Sequence, residues 1–205
     1  MELRDAIVAR RMVRAFEPRS VDPAVIDELC DLARRAPSAG NTSAVQFLVL
    51  DEPGQVARYW DVTLPAERRD GFRWPGLVAA PALVVVATRP DAYLERYAEA
   101  DKAATGRGAG PERWPVPYWW VDAGAAIEHL LLGAVDAGLG ACLFGAFDHE
   151  PAVAAAFGVP DGWRLVGTVA LGHPAPSPPG RSAGRRPPAG DPLVHRGRWA
   201  DSDHQ

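Results

Sequence analysis

The sequence predicts an α+β layered fold, with helices packed on a mixed sheet. Helical patterns alternate along the chain with four short apolar runs rich in β-branched residues, which indicates both kinds of element. The order does not repeat the short βαβ unit of a doubly wound parallel sheet. At 205 residues and 47% hydrophobic content, the chain can bury one substantial core. Without an internal repeat or a linker, residues 1–205 are expected to form a single domain.

The N-terminal part predicts two helices and the first strand. Residues 2–11 form the first helix. Asp22 is placed to cap the second, and Pro23 suits its first turn. Pro37 ends this helical pattern, because the residue before a proline avoids the helical region. The run from Val45 to Leu50 then predicts a buried strand.

The middle of the chain predicts one further strand. Residues 55–61 read as a short helix, and the charged segment 66–77, which contains Arg-Trp-Pro-Gly, as a loop. The β-branched run at 82–87 predicts a strand buried on both faces. Residues 91–100 follow as a helix.

The C-terminal part begins with the most apolar helix, predicted over 121–137. Apolar residues surround most of it, so it is either central to the core or also packed against a partner subunit. Residues 138–147 predict a turn, a short strand and a turn, residues 148–157 a helix, and residues 163–171 a strand. The following 174–190 are too rich in Pro, Gly, Ser and Arg for regular structure.

Composition excludes several classes of function. Twenty-two basic against 26 acidic residues give a net charge of -4, which offers no general attraction for nucleic acid or an anionic membrane. No apolar run reaches membrane-spanning length and no signal-peptide pattern opens the chain, so a cytoplasmic protein is expected. Cys30 and Cys142 make neither a disulfide framework nor a zinc site. The five histidines lack metal-ligand spacing, and no metal is expected.

The corner between the second helix and the first strand is a candidate ligand site. Pro37, Ser38, Ala39 and Asn41 belong to a run of small residues with several donors and acceptors. Such a corner lets a flat heteroaromatic ligand lie against the backbone. The alternative is an ordinary loop.

Arg10, Arg11 and Arg14 form a dense basic group at the end of the first predicted helix. Guanidinium groups bind phosphate through two parallel hydrogen bonds, so an anion clamp is one interpretation. A solvated surface is the other.

An aromatic cluster that includes Trp114, Tyr118 and Trp119 follows a glycine-rich stretch. That stretch lacks the spacing of a phosphate-binding loop. The cluster is either core filler or the wall of a ligand pocket, and here we assign it to substrate contact.

Four motifs in order resemble the FMN-dependent nitroreductase family, and the resemblance runs from about residue 1 to 199. The motifs are Arg10-Arg11-x-x-Arg14 with Phe16, Ala36-Pro37-Ser38-Ala39-x-Asn41, Gly138-Leu139-Gly140 ahead of Gly145-Ala146-Phe147, and Val166-Gly167-x-Val169-Ala170-x-Gly172 before an Arg-Arg-Pro.

The resemblance implies a three-layer fold, an intertwined homodimer and two FMN sites between the subunits. It places the phosphate on Arg10 and the N1/O2 edge of the ring on Arg14. Further cofactor contacts are implied for Arg11, for the loop with Pro37, Ser38, Ala39 and Asn41, for Gly145 and Ala146 near N5, and for Arg185 and Arg186 at the phosphate. Met12 stands where many members carry Ser or Thr, and Ser43-Ala44-Val45 replaces a frequent Gln-Pro-Trp.

The chemistry that the resemblance implies needs no catalytic side chain, because the cofactor supplies it. NADH or NADPH reduces FMN at N5, and a nitroaromatic, a quinone or a related oxidant then takes its place in a ping-pong cycle. Two alternatives stay open. One is different flavin chemistry on the same scaffold, such as dehydrogenation of a biosynthetic intermediate or oxidative breakdown of the flavin. The other is a non-catalytic protein that stores or senses flavin.

The tail at 174–205 is expected to pack on the partner subunit. Leu193, Val194 and Trp199 follow about twenty residues without predicted structure, an unusual length for a loop within one compact subunit. Extended chain reaches about 3.3 Å per residue, enough to cross to a neighbour.

Overall fold

The computed structural model describes residues 1–177 and 194–199, which form an α+β fold. Its helices are α1 (Leu3–Ala9), α2 (Pro23–Ala33), α3 (Pro53–Thr63), α4 (Ala66–Arg69), α5 (Pro75–Val78), α6 (Pro90–Ala98), α7 (Tyr118–Asp136) and α8 (Glu150–Phe157). Its strands are β1 (Val45–Leu50), β2 (Ala82–Thr88), β3 (Gly140–Phe144) and β4 (Arg164–Gly172).

The four strands form one sheet in the order β1-β2-β4-β3, and all neighbouring strands are antiparallel. The parallel element among the described residues is a single bridge, in which Met12 pairs with Ala141 on the outer edge of β3. The N-terminal basic segment is therefore attached to one edge of the sheet, and β1 forms the opposite edge.

Strand β2 separates two core layers. Its even positions, Val84 and Val86 among them, pack with α2 and α7, while its odd positions, such as Val85, pack with α3 and α8. All seven of its residues are buried, and each of these valines contributes about 1.5–3 kcal/mol through burial. The result is a three-layer arrangement of helices, sheet and helices.

Helices α2 and α7 approach closely on the first of these faces. The carboxylate of Asp22 accepts a hydrogen bond from Ala24 N–H at 2.9 Å, which fixes the start of α2 as predicted. A Cβ added at Gly133 would lie 2.7 Å from a methyl carbon of Leu29, so this glycine lets the two helices touch. The packing holds the corner after α2 next to the first turns of α7.

Some elements differ from the prediction. Residues 66–77, predicted as loop, contain α4 and the start of α5, each four residues long. One-turn helices show no periodicity in sequence, which is why the prediction was wrong there. Helix α7 begins at Tyr118, three residues before the predicted start at 121.

Candidate functional site

The basic segment at residues 10–14 runs along the edge strand β3. Val13 N–H donates to the carbonyl of Ala141 at 2.8 Å, and the Val13 side chain covers Gly140, where an added Cβ would lie 2.9 Å from it. Met12 turns inward, because its sulfur accepts a hydrogen bond from Leu143 N–H at 3.4 Å. The backbone of the segment is thereby fixed by the sheet.

The three arginines of this segment are only weakly engaged by neighbouring groups. Arg10 Nε lies 3.7 Å from a carboxylate oxygen of Glu128, with both side chains partly exposed, a kind of pair worth about 0–1 kcal/mol. Arg11 donates to the carbonyls of Val8 and Arg10, and Arg14 to that of Met12. Within the described residues, neither Arg11 nor Arg14 forms an ion pair. All three charges are therefore available to a bound anion.

Arg14 is further oriented by an aromatic ring. Its guanidinium carbon lies 5.4 Å from the ring centre of Trp74, and that of Arg73 lies 4.8 Å from the same ring. Such cation–π contacts stabilise by about 0.5–1 kcal/mol at exposed sites. Gly76 brings this segment close, because a Cβ there would lie 2.7 Å from the Ala15 side chain.

The loop at residues 38–43 has an uncommon backbone. Gly40, Asn41 and Ser43 all have left-handed φ values, of 66°, 57° and 51°. Glycine adopts this region freely, but serine rarely does. Ser43 N–H donates to the hydroxyl of Ser38 at 3.1 Å, which closes the loop on itself.

A cavity of about 270 Å³ opens beside this loop, between α2, β1 and α7. It is lined by Ala33, Arg34, Ala36, Pro37, Ser38, Ser43, Val45, Gln46, Asp122 and Ala126. Of the predicted corner, Pro37 and Ser38 line this cavity, whereas Ala39 and Asn41 are not among its lining residues. Arg10, Arg11 and Arg14 are not among its lining residues.

Asp122 is a residue of this site that the sequence reasoning missed. It is only 6% exposed, and one of its oxygens, Oδ2, accepts from Ala39 N–H at 2.8 Å and from Tyr93 O–H at 2.9 Å. The available signal was a carboxylate among the apolar residues of the first half of α7, because such a group needs a compensating partner when buried.

The turn after β3 presents a bulky residue in a strained conformation. Phe147 has a φ of 45° and is 84% exposed, and its ring lies over Gly145, where an added Cβ would meet ring carbons at 2.8 Å. Ala146 beside it is buried. A positive φ on a large side chain is an outlier that often marks a functional turn.

The aromatic cluster divides into buried and exposed members. Trp114 and Trp119 are buried against Tyr93, and Trp114 Nε1–H donates to the carbonyl of Arg107 at 3.0 Å. Tyr118 is 44% exposed. The two tryptophans therefore pack inside the subunit, and Tyr118 is the predicted substrate residue whose side chain is open to solvent.

Burial favours the protonated form of both thiols of the protein. It raises the pKa of the Cys142 thiol, an effect that nearby Arg14 partly opposes. Burial, and then the charge of Asp27, raises the pKa of Cys30 to about 11. A raised pKa disfavours the thiolate, which is the reactive form of cysteine, at both positions.

The remaining predicted residues lie mostly beyond what the structure describes. Arg185, Arg186 and Leu193 fall outside the described residues. In the short described segment of the tail, Val194 and Trp199 are exposed. The rings of His195 and Trp199 stack with their centres 4.2 Å apart. Across residues 1–177 and 194–199, no group of His, Cys, Asp and Glu could hold a metal ion, and none of the helices is long and apolar enough to cross a membrane.

The fold places the chain among solved α+β proteins of one class. A nitroreductase family protein from Clostridium novyi NT superposes with a TM-score of 0.65 at 25% identity, over 85% of this chain and 86% of that one. The sequence model of the nitroreductase family matches residues 7–173. The chain belongs to the nitroreductase family and is an oxidoreductase.

Two relatives extend the comparison. An Archaeoglobus fulgidus protein provisionally named NADH dehydrogenase/NAD(P)H nitroreductase is 25% identical over 198 residues, covering 94% of this chain and 96% of its own length. The 5,6-dimethylbenzimidazole synthase of Rhodobacter capsulatus is 29% identical over 196 residues, covering 94% of this chain and 88% of its own. Members of this family generally use a flavin and NAD(P)H, and they are commonly dimeric.

Proposed function

We propose that the protein is an FMN-dependent NAD(P)H oxidoreductase that reduces nitroaromatic, quinone or related small organic substrates. The observation that carries this proposal is the presence of two complementary half-sites. Arginines without tight ion pairs occupy one sheet edge, and a polar loop borders a cavity of about 270 Å³. The name of the Archaeoglobus fulgidus relative, which includes NAD(P)H nitroreductase, also favours it.

The residues present fit FMN. Arg10 and Arg11 offer forked cations for a phosphate, and each charge-assisted contact contributes about 1.5–3 kcal/mol. Arg14, held over Trp74, offers a positive group for the N1/O2 edge of the ring. Pro37, Ser38, Ala39 and Asn41 would line the ring, Gly145 and Ala146 would face it near N5, and Arg185 and Arg186 complete the proposed set. Met12 can contribute only its backbone, because its side chain is engaged by Leu143 N–H. Bound FMN would supply hydride chemistry, accepting from NADH or NADPH and donating to the oxidant in a ping-pong cycle.

A homodimer would bring the half-sites together. The arginines do not line the cavity of their own subunit, so we place the arginines of one subunit against the loop of its partner. Exposed apolar side chains on three helices support such an interface. They are Leu3, Ile7 and Val8 of α1, Leu32 of α2 and Val121 of α7.

Steady-state turnover tests this proposal. NADH or NADPH should be oxidised in the presence of a quinone or a nitroaromatic, with parallel double-reciprocal lines that indicate a ping-pong cycle. If the protein binds FMN but turns over neither a quinone nor a nitroaromatic, the assignment as a reductase of these substrates is rejected.

A second candidate is different flavin chemistry on the same scaffold. It is favoured by the relative named 5,6-dimethylbenzimidazole synthase, which is 29% identical to this chain. Absent turnover of quinones and nitroaromatics would favour this candidate over the first. Membership of an oxidoreductase family disfavours the flavin-storage alternative.

A further inference from the structure

The loop at 38–43 needs external support to keep its shape. Two of its residues other than glycine, Asn41 and Ser43, have left-handed backbones. Residues in such conformations keep them only where their surroundings enforce them. Two side chains from helices α6 and α7 form hydrogen bonds with the backbone of this loop. Arg96 of α6 donates to the carbonyl of Gly40 at 2.8 Å, and Asp122 of α7 accepts from Ala39 N–H at 2.8 Å.

Asp122 is the buried one of these two supports. One of its two oxygens, Oδ2, accepts hydrogen bonds from both Ala39 N–H and the hydroxyl of Tyr93. No described cation forms an ion pair with it, so two neutral donors compensate the carboxylate. Burying a carboxyl group in this way is costly unless its hydrogen bonds are made, which makes the position sensitive to loss of either donor.

Tyr93 is the second donor to this carboxylate. Its side chain is fully buried, and burial, followed by the hydrogen bond to Asp122, raises the pKa of its phenol. Burial thus favours the protonated phenol, the form that donates to Asp122. Asp122 also lines the cavity with Ser38 and Ser43, so its network joins the loop to the wall of the candidate site.

We propose that Asp122, oriented by Tyr93, is a positioning residue that fixes the Ala39 amide and thereby the left-handed backbone of the loop. The loop then presents its polar groups to the flavin in one arrangement. This inference rests on the proposed function, because it takes FMN as the ligand of the loop. The contribution of Asp122 comes through hydrogen bonds to Ala39 and Tyr93.

A matched pair of tyrosine variants separates positioning from general stability. Tyr59 is also fully buried, and its hydroxyl bonds to Thr168 at 2.8 Å, but it packs on the opposite face of the sheet. Tyr93→Phe and Tyr59→Phe each remove one buried hydroxyl. The readouts are FMN affinity of the full chain, thermal midpoint, and hydrogen exchange of the Ala39 amide.

Tyr93→Phe and Asp122→Ala should weaken FMN binding by about 5- to 100-fold, the effect of leaving a buried partner unpaired, and should speed exchange at Ala39. Tyr59→Phe should lower the thermal midpoint while leaving both readouts unchanged. Asp122→Asn should restore most of the affinity, because its amide oxygen, placed where Oδ2 lies, accepts from both Ala39 N–H and the Tyr93 hydroxyl. Equal losses in the two tyrosine variants would overturn the proposal, as would an Asn variant as impaired as the Ala variant.

The exchange measurement keeps this proposal separate from the proposed function. A wild type that binds no FMN would reject the flavin assignment, and the positioning of a flavin with it. Wild-type binding of FMN together with unchanged Ala39 exchange in Asp122→Ala would reject the positioning role alone.

Discussion

The arginines of the N-terminal segment keep their charge available because their neighbours are mostly carbonyl groups. Arg11 bonds to Val8 and Arg10, and Arg14 to Met12, all through backbone oxygens. Carbonyls orient a guanidinium without neutralising it. A phosphate that approaches this edge of the sheet would therefore meet full positive charges.

Arg10→Ala should weaken FMN binding by about 1.5–3 kcal/mol, since it removes one charge-assisted contact to the phosphate. Arg185→Ala is expected to act in the same way. Arg68→Ala provides the control, because Arg68 is exposed on α4 and the substitution changes net charge equally. Fluorescence titration of the apoprotein measures all three. Riboflavin, which lacks the phosphate, should bind poorly, and riboflavin binding as tight as that of FMN would show the clamp assignment to be wrong.

The aromatic cluster yields a prediction in which two neighbours differ. Tyr118→Ala should change the KM for the oxidant far more than FMN affinity, because this ring is exposed at the start of α7. Trp119→Ala should cost about 3–5 kcal/mol of stability, the usual loss for a buried aromatic residue. Denaturant unfolding and steady-state kinetics on both variants decide it. Unchanged kinetics in both would remove the cluster from the substrate site.

At the scale of elements, the strands and long helices could be predicted and the short or long-range features could not. Strand β1 has the predicted bounds, and β2 extends its prediction by Thr88 alone, because β-branched runs mark buried strands locally. The contact between Ala39 and Asp122 joins positions 83 apart in sequence, a distance that local pattern does not encode. The left-handed Ser43 was equally hidden, since serine carries no signal for that conformation.

The C-terminal tail gives the prediction at this scale. Residues 173–175 pair with the segment at 15–17, through Glu17 N–H to His173 and Ala175 N–H to Ala15, both at 2.9 Å. A truncation after Gly172 would break this pairing, so truncation after Ser177 tests the tail more cleanly. It should reduce both dimer stability and bound FMN, because the tail is expected to reach the partner and to carry Arg185 and Arg186.

Sedimentation and flavin absorbance measure the two effects of this truncation. Trp199→Ala in the full chain serves as a finer variant, since Trp199 is 79% exposed in the subunit and is expected to be covered in the dimer. A truncated protein that remains dimeric and yellow would show that the tail is dispensable.

At the scale of the whole molecule, the two half-sites are the reason that we propose a dimer as the functional form. One subunit carries arginines on the outer edge of β3 and a cavity between α2, β1 and α7. The arginines do not line this cavity. The sequence motifs indicated both groups of residues through the resemblance. Their separation within the subunit depends on the sheet order, which motif spacing does not reveal.

The visible spectrum of the purified protein, recorded without oxygen before and after NADH or NADPH, tests the central claim most directly. A bound flavin should show the visible absorption band that makes flavoproteins yellow, and the flavin released from the protein should be identical to FMN. The band should bleach with at least one of the two reductants. Addition of a quinone or a nitroaromatic should restore the band. A protein that takes up no FMN, or whose bound flavin stays oxidised with both reductants, would contradict the proposed oxidoreductase.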